Sequence, residues 1–253
     1  MHIKVIACEV LARETYYCAA RARNPVEVEL LTQGLHDNPD VGRARLQSLI
    51  DAAEAPRYGA VVLGYGLCSN MIRGLRAGSL PLVVPRAHDC ITLLLGSKER
   101  YTEHFRNHPG SYYYSAGWLE YPERGGERME ITQKSGLGPT LAYEQLVAKY
   151  GEENARYLAE TMGAWSQAYT HGVLIEFEFS DGRNLEHQVQ EICRGRGWAF
   201  ARLAGELSLL QHALDGEWSD QEFLVLDPGE AVEATYDDCV IRRAPAQPPS
   251  PPA

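Results

Sequence analysis

Ala60-Val61-Val62-Leu63-Gly64-Tyr65-Gly66-Leu67-Cys68-Ser69-Asn70 is the stretch whose reading decides the fold. Its first four residues are short, apolar and valine-rich, the pattern of a strand buried on both faces inside a parallel sheet. The run stops in a glycine turn that ends on a cysteine. The same unit recurs on either side. Upstream, His2 to Ala7 is an expected first strand with Cys8 at its carboxyl end, followed by a helix over Ala12 to Ala22. Asn24-Pro25 breaks that helix, and Val26 to Leu31 forms a second strand. Asp40 is expected to cap a helix whose Leu46, Leu49, Ile50 and Ala53 keep to one helical face. Downstream, Pro81 to Val84 is a fourth strand, ending in Pro85-Arg86-Ala87-His88-Asp89-Cys90, which opens a helix from Ile91 through Phe105. This alternation predicts an α/β protein, an open parallel sheet with helices on both faces.

The second half repeats the grammar more loosely. Ser111 to Glu120, rich in tyrosine, is an expected strand. A polar loop at 122–139 and a helical region at 140–168 follow. Then come a strand at Gly172 to Phe179, a helix at Asn184 to Arg194, a strand at Trp198 to Leu203, a helix at Leu207 to Leu214 and a last strand at Glu222 to Leu226. The expectation is two related α/β lobes with a cleft between them, at 1–121 and 140–238. A disordered proline-rich tail at 244–253 closes the chain.

Composition narrows the function. The chain has 253 residues, 45% of them apolar and 23% charged, which is ordinary for a globular protein. A formal net charge of −10 with dispersed basic residues repels phosphate backbones and argues against nucleic acid as a partner. No apolar stretch approaches the roughly 20 residues that a spanning helix needs. The opening Met-His-Ile-Lys-Val runs directly into a strand pattern, so the expected location is the cytoplasm. In that reducing compartment six cysteines are not a disulfide framework.

Ligands of open parallel sheets bind beyond the carboxyl ends of the strands. Cys8, Cys68 and Cys90 stand at or just past the ends of the first, third and fourth strands, neighbours in the common order 2-1-3-4. With strands about 4.8 Å apart, the three thiols can converge as ligands of zinc or of an iron–sulfur cluster. Two of them open helices, where the dipole favours the thiolate. His88 is a candidate fourth ligand or proton donor, and Asp89 a candidate to orient its imidazole. Arg13 and Arg86 are candidates for holding an anionic substrate, although surface ion pairing is the commoner use of arginine. Gly64-Tyr65-Gly66 is a candidate cofactor-binding turn, but Ser69 stands where GxGxxG requires its third glycine. His171 precedes the first strand of the second lobe and is a further candidate, more often structural at such a place. Any single cysteine is more commonly a packed core residue, which is how Cys18, Cys193 and Cys239 are read. No CxxC pair links the other three, which sets aside the commonest zinc and ferredoxin signatures.

At Leu63-Gly64-Tyr65-Gly66-Leu67-Cys68 and at Pro85 through Ser97 the sequence resembles a bacterial and archaeal family, domain-of-unknown-function family 1638. The likeness runs from Cys8-Glu9 to about Val232. It implies an association with corrinoid-dependent methyl transfer, and so a small-molecule substrate and a corrinoid or methyltransferase protein as partner. In that family glycine commonly follows the turn cysteine, where this chain has Ser69. The topology is also similar to quinolinate synthase, in which strand-end cysteines from three lobes hold one iron–sulfur cluster; here all three come from the first lobe. Three readings follow. One is a metal-dependent enzyme, a transferase or lyase, or an accessory factor. The second is a metal-free thiol enzyme using Cys68 and Cys90 with His88. The third is a non-catalytic module that holds a metal or corrinoid for its partner.

Overall fold

A computed structural model describes residues 1–35, 38–120, 152, 169–180, 184–235 and 237–245. The expected loop at 122–139, the helical region at 140–168 and most of the tail at 244–253 lie outside the described residues. The chain forms two compact units, one of residues 1–101 and 206–253, the other of residues 102–205.

The first unit is built on a five-stranded sheet in the order β2-β1-β3-β4-β8. Its strands are β1 (Ile3–Cys8), β2 (Val26–Leu31), β3 (Ala60–Gly64), β4 (Leu82–Pro85) and β8 (Phe223–Leu226). The first four are parallel and follow the expected 2-1-3-4 order. Alternation along the strands gives each face its own core. Ile6, Val61, Leu63, Leu82 and Val84 pack with Leu46 and Ile50 of α2 (Pro39–Asp51) on one face. Elsewhere α1 (Ala12–Arg21) packs on α7 (Ser208–Asp215), which crosses β3 and β4. Two local boundaries differ from expectation. Asn38, rather than Asp40, caps α2, because Pro39 takes the first helical position and leaves the Asn38 side chain to accept the Val41 N–H. The expected long helix after Cys90 is two helices, α3 (Cys90–Leu95) and α4 (Lys98–Asn107), because Gly96 takes a left-handed φ of 79° and ends the first.

The second unit carries a three-stranded sheet, order β5-β6-β7, all parallel. Its strands are β5 (Ser111–Tyr114), β6 (His171–Glu176) and β7 (Ala199–Ala204). A short helix, α5 (Ala116–Glu120), replaces the second half of the tyrosine-rich strand, and α6 (Leu185–Arg196) lies on β6 and β7. Tyr114, Leu174, Leu185, Val189 and Cys193 form its core.

The expected division at 1–121 and 140–238 is therefore corrected. β5 pairs with β6, in the second unit, while β8 returns to the first sheet and pairs antiparallel with β4, Pro85 opposite Phe223. The reason is edge protection: without β8, the β4 edge of a sheet with apolar faces would present an unpaired ladder. A terminal hairpin of β9 (Val232–Ala234) and β10 (Ile241–Arg243) adds Val232 and Ile241 to the core of the first unit. Phe223 is fully buried, so Phe223→Ala should cost about 3–5 kcal/mol in urea unfolding followed by circular dichroism. A loss below about 1 kcal/mol would remove β8 from the sheet.

Candidate functional site

The site grows from the carboxyl ends of β1, β3 and β4. In register, Ala7 lies beside Gly64, so Cys8 and Tyr65 leave neighbouring strands at one level. The loop after β3 is then laced to the loop after β4. The Leu67 N–H donates to the Ala87 carbonyl at 2.8 Å, and the Cys68 N–H to the His88 carbonyl at 2.9 Å. The glycines of the turn permit this closeness. A Cβ on Gly64 would stand 2.5 Å from the Ala7 Cβ, and one on Gly66 would stand 2.6 Å from the Asp89 backbone nitrogen. Neither glycine takes a positive φ, so both serve chain-to-chain packing. The left-handed conformations fall instead on three consecutive residues that are not glycine: Cys68 at 45°, Ser69 at 57° and Asn70 at 64°. Such a φ costs roughly 1–2 kcal/mol for most residues, with asparagine the most tolerant. The fully buried Met71 and the contact from its N–H to the Cys68 carbonyl anchor the far side of the strained run.

This backbone fixes Cys68. Its sulfur accepts from the amides of Gly66 and Cys90, which puts Cys90, the first residue of α3, directly beside it. Cys8 and Cys68 both pack against the core cluster that contains Tyr65 and Leu31. Burial pushes the Cys68 thiol up, and Asp89 and Cys8 push it further; the two amides oppose them. Both side chains that raise this sulfur by their charge when ionised are therefore acids. One group that the sequence left aside also belongs here. Glu9 is a buried carboxylate at the end of β1, and it accepts the Gln33 N–H at 3.0 Å. The signal was an acid directly after a strand-end cysteine in an otherwise apolar run.

The remaining candidates are placed as follows. Asp89 is the N-cap of α3: one oxygen accepts from the amides of Ile91 and Thr92, the other from the Tyr101 hydroxyl. Burial raises its pKa against those hydrogen bonds. The His88 side chain is exposed, and its carbonyl is what holds Cys68. Arg86 ties β4 to the C-terminal segment through the carbonyls of Asp220, Cys239 and Ile241, a structural use of the guanidinium proposed for substrate. Arg13 is half-buried on α1. His171 starts β6 in the second unit and contacts the Thr170 hydroxyl at 2.8 Å. Cys18 and Cys193 are buried in helices, the Cys18 thiol pushed up to about 12 mainly by burial, and Cys239 is exposed. Among the described residues, no three His, Cys, Asp or Glu side chains come together as a ready-made metal cage. No helix among them is long and apolar enough to cross a membrane.

Ser69 stands where glycine would relieve the left-handed strain. Ser69→Gly should therefore raise stability by about 0.5–1 kcal/mol, read from the urea midpoint at unchanged slope. A loss of stability would mean that the loop draws more from the serine side chain than it spends on the backbone.

A family described as a protein of unknown function (DUF1638) matches residues 30–214, well over half of the chain. Cys68, His88 and Cys90 lie inside that span and Cys8 lies before it, so the match is shorter than the resemblance expected from Cys8 to Val232. No curated protein and no solved structure is significantly similar to the chain.

Proposed function

The chain belongs to the DUF1638 family, and we propose that its strand-end cysteines form a thiolate site for a soft metal, either zinc or the iron of an iron–sulfur cluster. The observation that carries this reading is the setting of Cys68. Its sulfur is crowded by acids, Cys8 and Asp89, and raised by burial, so without a cation it stays a neutral thiol. A bound metal reverses that balance, because a coordinating thiol is deprotonated outright. The donor set fits a soft ion. Cys8 and Cys68 supply sulfur, and the third cysteine is the residue whose amide already reaches Cys68. Asp89 is committed to capping α3 and is not among the ligands. Cys90, one residue further on, is the third sulfur of the proposed set.

When bound, such a metal lowers the pKa of a thiol or water at its open position and so prepares a nucleophile. This suits a methyl transfer to a small substrate in the cytoplasm, with a corrinoid or methyltransferase protein as partner, the setting that the family resemblance implies. The residues themselves would orient the sulfurs: the two amides direct Cys68, and the laced loops hold it against the end of the sheet.

A second reading is favoured by one observation, the pair of amides at the Cys68 sulfur, which is also how a nucleophilic thiolate is held. A metal-free thiol enzyme would then use Cys68 and Cys90 with His88. The raised Cys68 thiol weighs against it, since that sulfur is mostly protonated near neutrality.

Protein purified without oxygen or a metal-binding tag should carry about one zinc, or about four iron with broad absorbance near roughly 400 nm, by elemental analysis and visible spectroscopy. Metal-free protein that also fails to take up zinc or iron would overturn the metal reading. Cys8→Ser separates the two readings: it should abolish metal retention in the first and leave a Cys68/Cys90 thiol enzyme largely intact in the second.

A further inference from the structure

Tyr65 follows β3 directly and is 3% exposed. Its ring lies in the apolar cluster with Ile6, Leu31 and Met71, against which Cys8 and Cys68 also pack. Its hydroxyl is buried and has no hydrogen-bond partner among the described residues. A buried hydroxyl left unpaired costs about 1–3 kcal/mol, and native proteins rarely carry that cost without a ligand or ordered water to relieve it. The groups that act on this hydroxyl are Cys8, Cys68 and Glu9. The orphan donor therefore sits in the same apolar cluster against which both sulfurs pack. The β1–β3 register agrees, because Tyr65 and Cys8 are the residues next after the paired Gly64 and Ala7.

We propose that the strand-end site takes a small Lewis base from solution, which binds the cation held by Cys8 and Cys68 and accepts a hydrogen bond from the Tyr65 hydroxyl. This rests on the thiolate reading in its single-ion form. It makes the site an open one, with a position reserved for an exogenous ligand, and not a closed structural clamp. A phenol keeps its proton near neutrality and is a hydrogen-bond donor there. A hydrogen-bond acceptor, such as an anion or a thiolate, is then the ligand chemistry that matches it.

The test loads the full-length protein with Co(II), a visible stand-in for zinc, and titrates it with azide, for the wild type and for Tyr65→Phe. Both proteins should load cobalt equally, with a thiolate-to-cobalt charge-transfer band. Azide should shift the visible bands of the wild type, and should bind Tyr65→Phe about tenfold more weakly, the loss of one hydrogen bond. Cobalt uptake with no response to azide, or equal azide affinity in the two proteins, overturns this inference and leaves the thiolate site standing. A Tyr65→Phe protein that no longer binds cobalt makes the phenol a ligand of the ion, which also overturns it. Absence of the charge-transfer band in the wild type removes the thiolate site itself and this inference with it.

Discussion

The site depends on two backbone hydrogen bonds, Leu67 to Ala87 and Cys68 to His88, that lace the loop after β3 to the loop after β4. They form only because Gly66 lets the two chains touch, with no room for a Cβ against Asp89. Everything chemical at this end of the sheet is arranged by that lacing. It brings the Cys90 amide to the Cys68 sulfur, sets Asp89 at the head of α3 and forces the left-handed run from Cys68 to Asn70. Strain of this kind persists only where the surroundings over-determine it, and it concentrates at functional sites. Here the surroundings are the laced loops on one side and the buried Met71 on the other.

Electrostatics and packing pull in opposite directions at the same place. Packing favours small apolar groups at the ends of buried strands, and cysteine and glycine satisfy it. The chain nonetheless puts Glu9, Asp89 and the Tyr65 hydroxyl among them, where burial penalises charge and unpaired donors. Asp89 recovers its cost through the helix cap and Tyr101. Tyr65 does not recover its cost from any of the described residues, and that difference makes it the informative residue.

Much of this was legible in the sequence. The apolar runs of β1, β3 and β4, separated by helical stretches, dictate a parallel sheet, and the cysteines at their ends were visible as a set. The parts that were not legible share a physical cause: they depend on contacts distant in sequence. Phe223–Leu226 has the same apolar pattern whether it pairs in a second lobe or closes the first sheet, and only the exposed β4 edge decides. Ser111–Tyr114 reads as a strand in either sheet. The left-handed turn was hidden because the residues that adopt it are cysteine, serine and asparagine, while the two glycines that drew attention serve close packing. Arg86 looked like a substrate ligand because its carbonyl partners lie more than a hundred residues away.

The pairing of Pro85 with Phe223 also has a consequence for how the protein is made. On a ribosome adding about 5–20 residues each second, the β4 strand emerges roughly 7 to 28 seconds before its edge partner exists. During that interval the nascent sheet is a template for any extended chain nearby. The second unit, encoded between the two halves of the first, sets the length of that delay. Lengthening it would leave the finished sheet unchanged and prolong the exposure of its precursor, so yield in the cell, more than stability in the tube, is where an insertion in 102–205 would be felt.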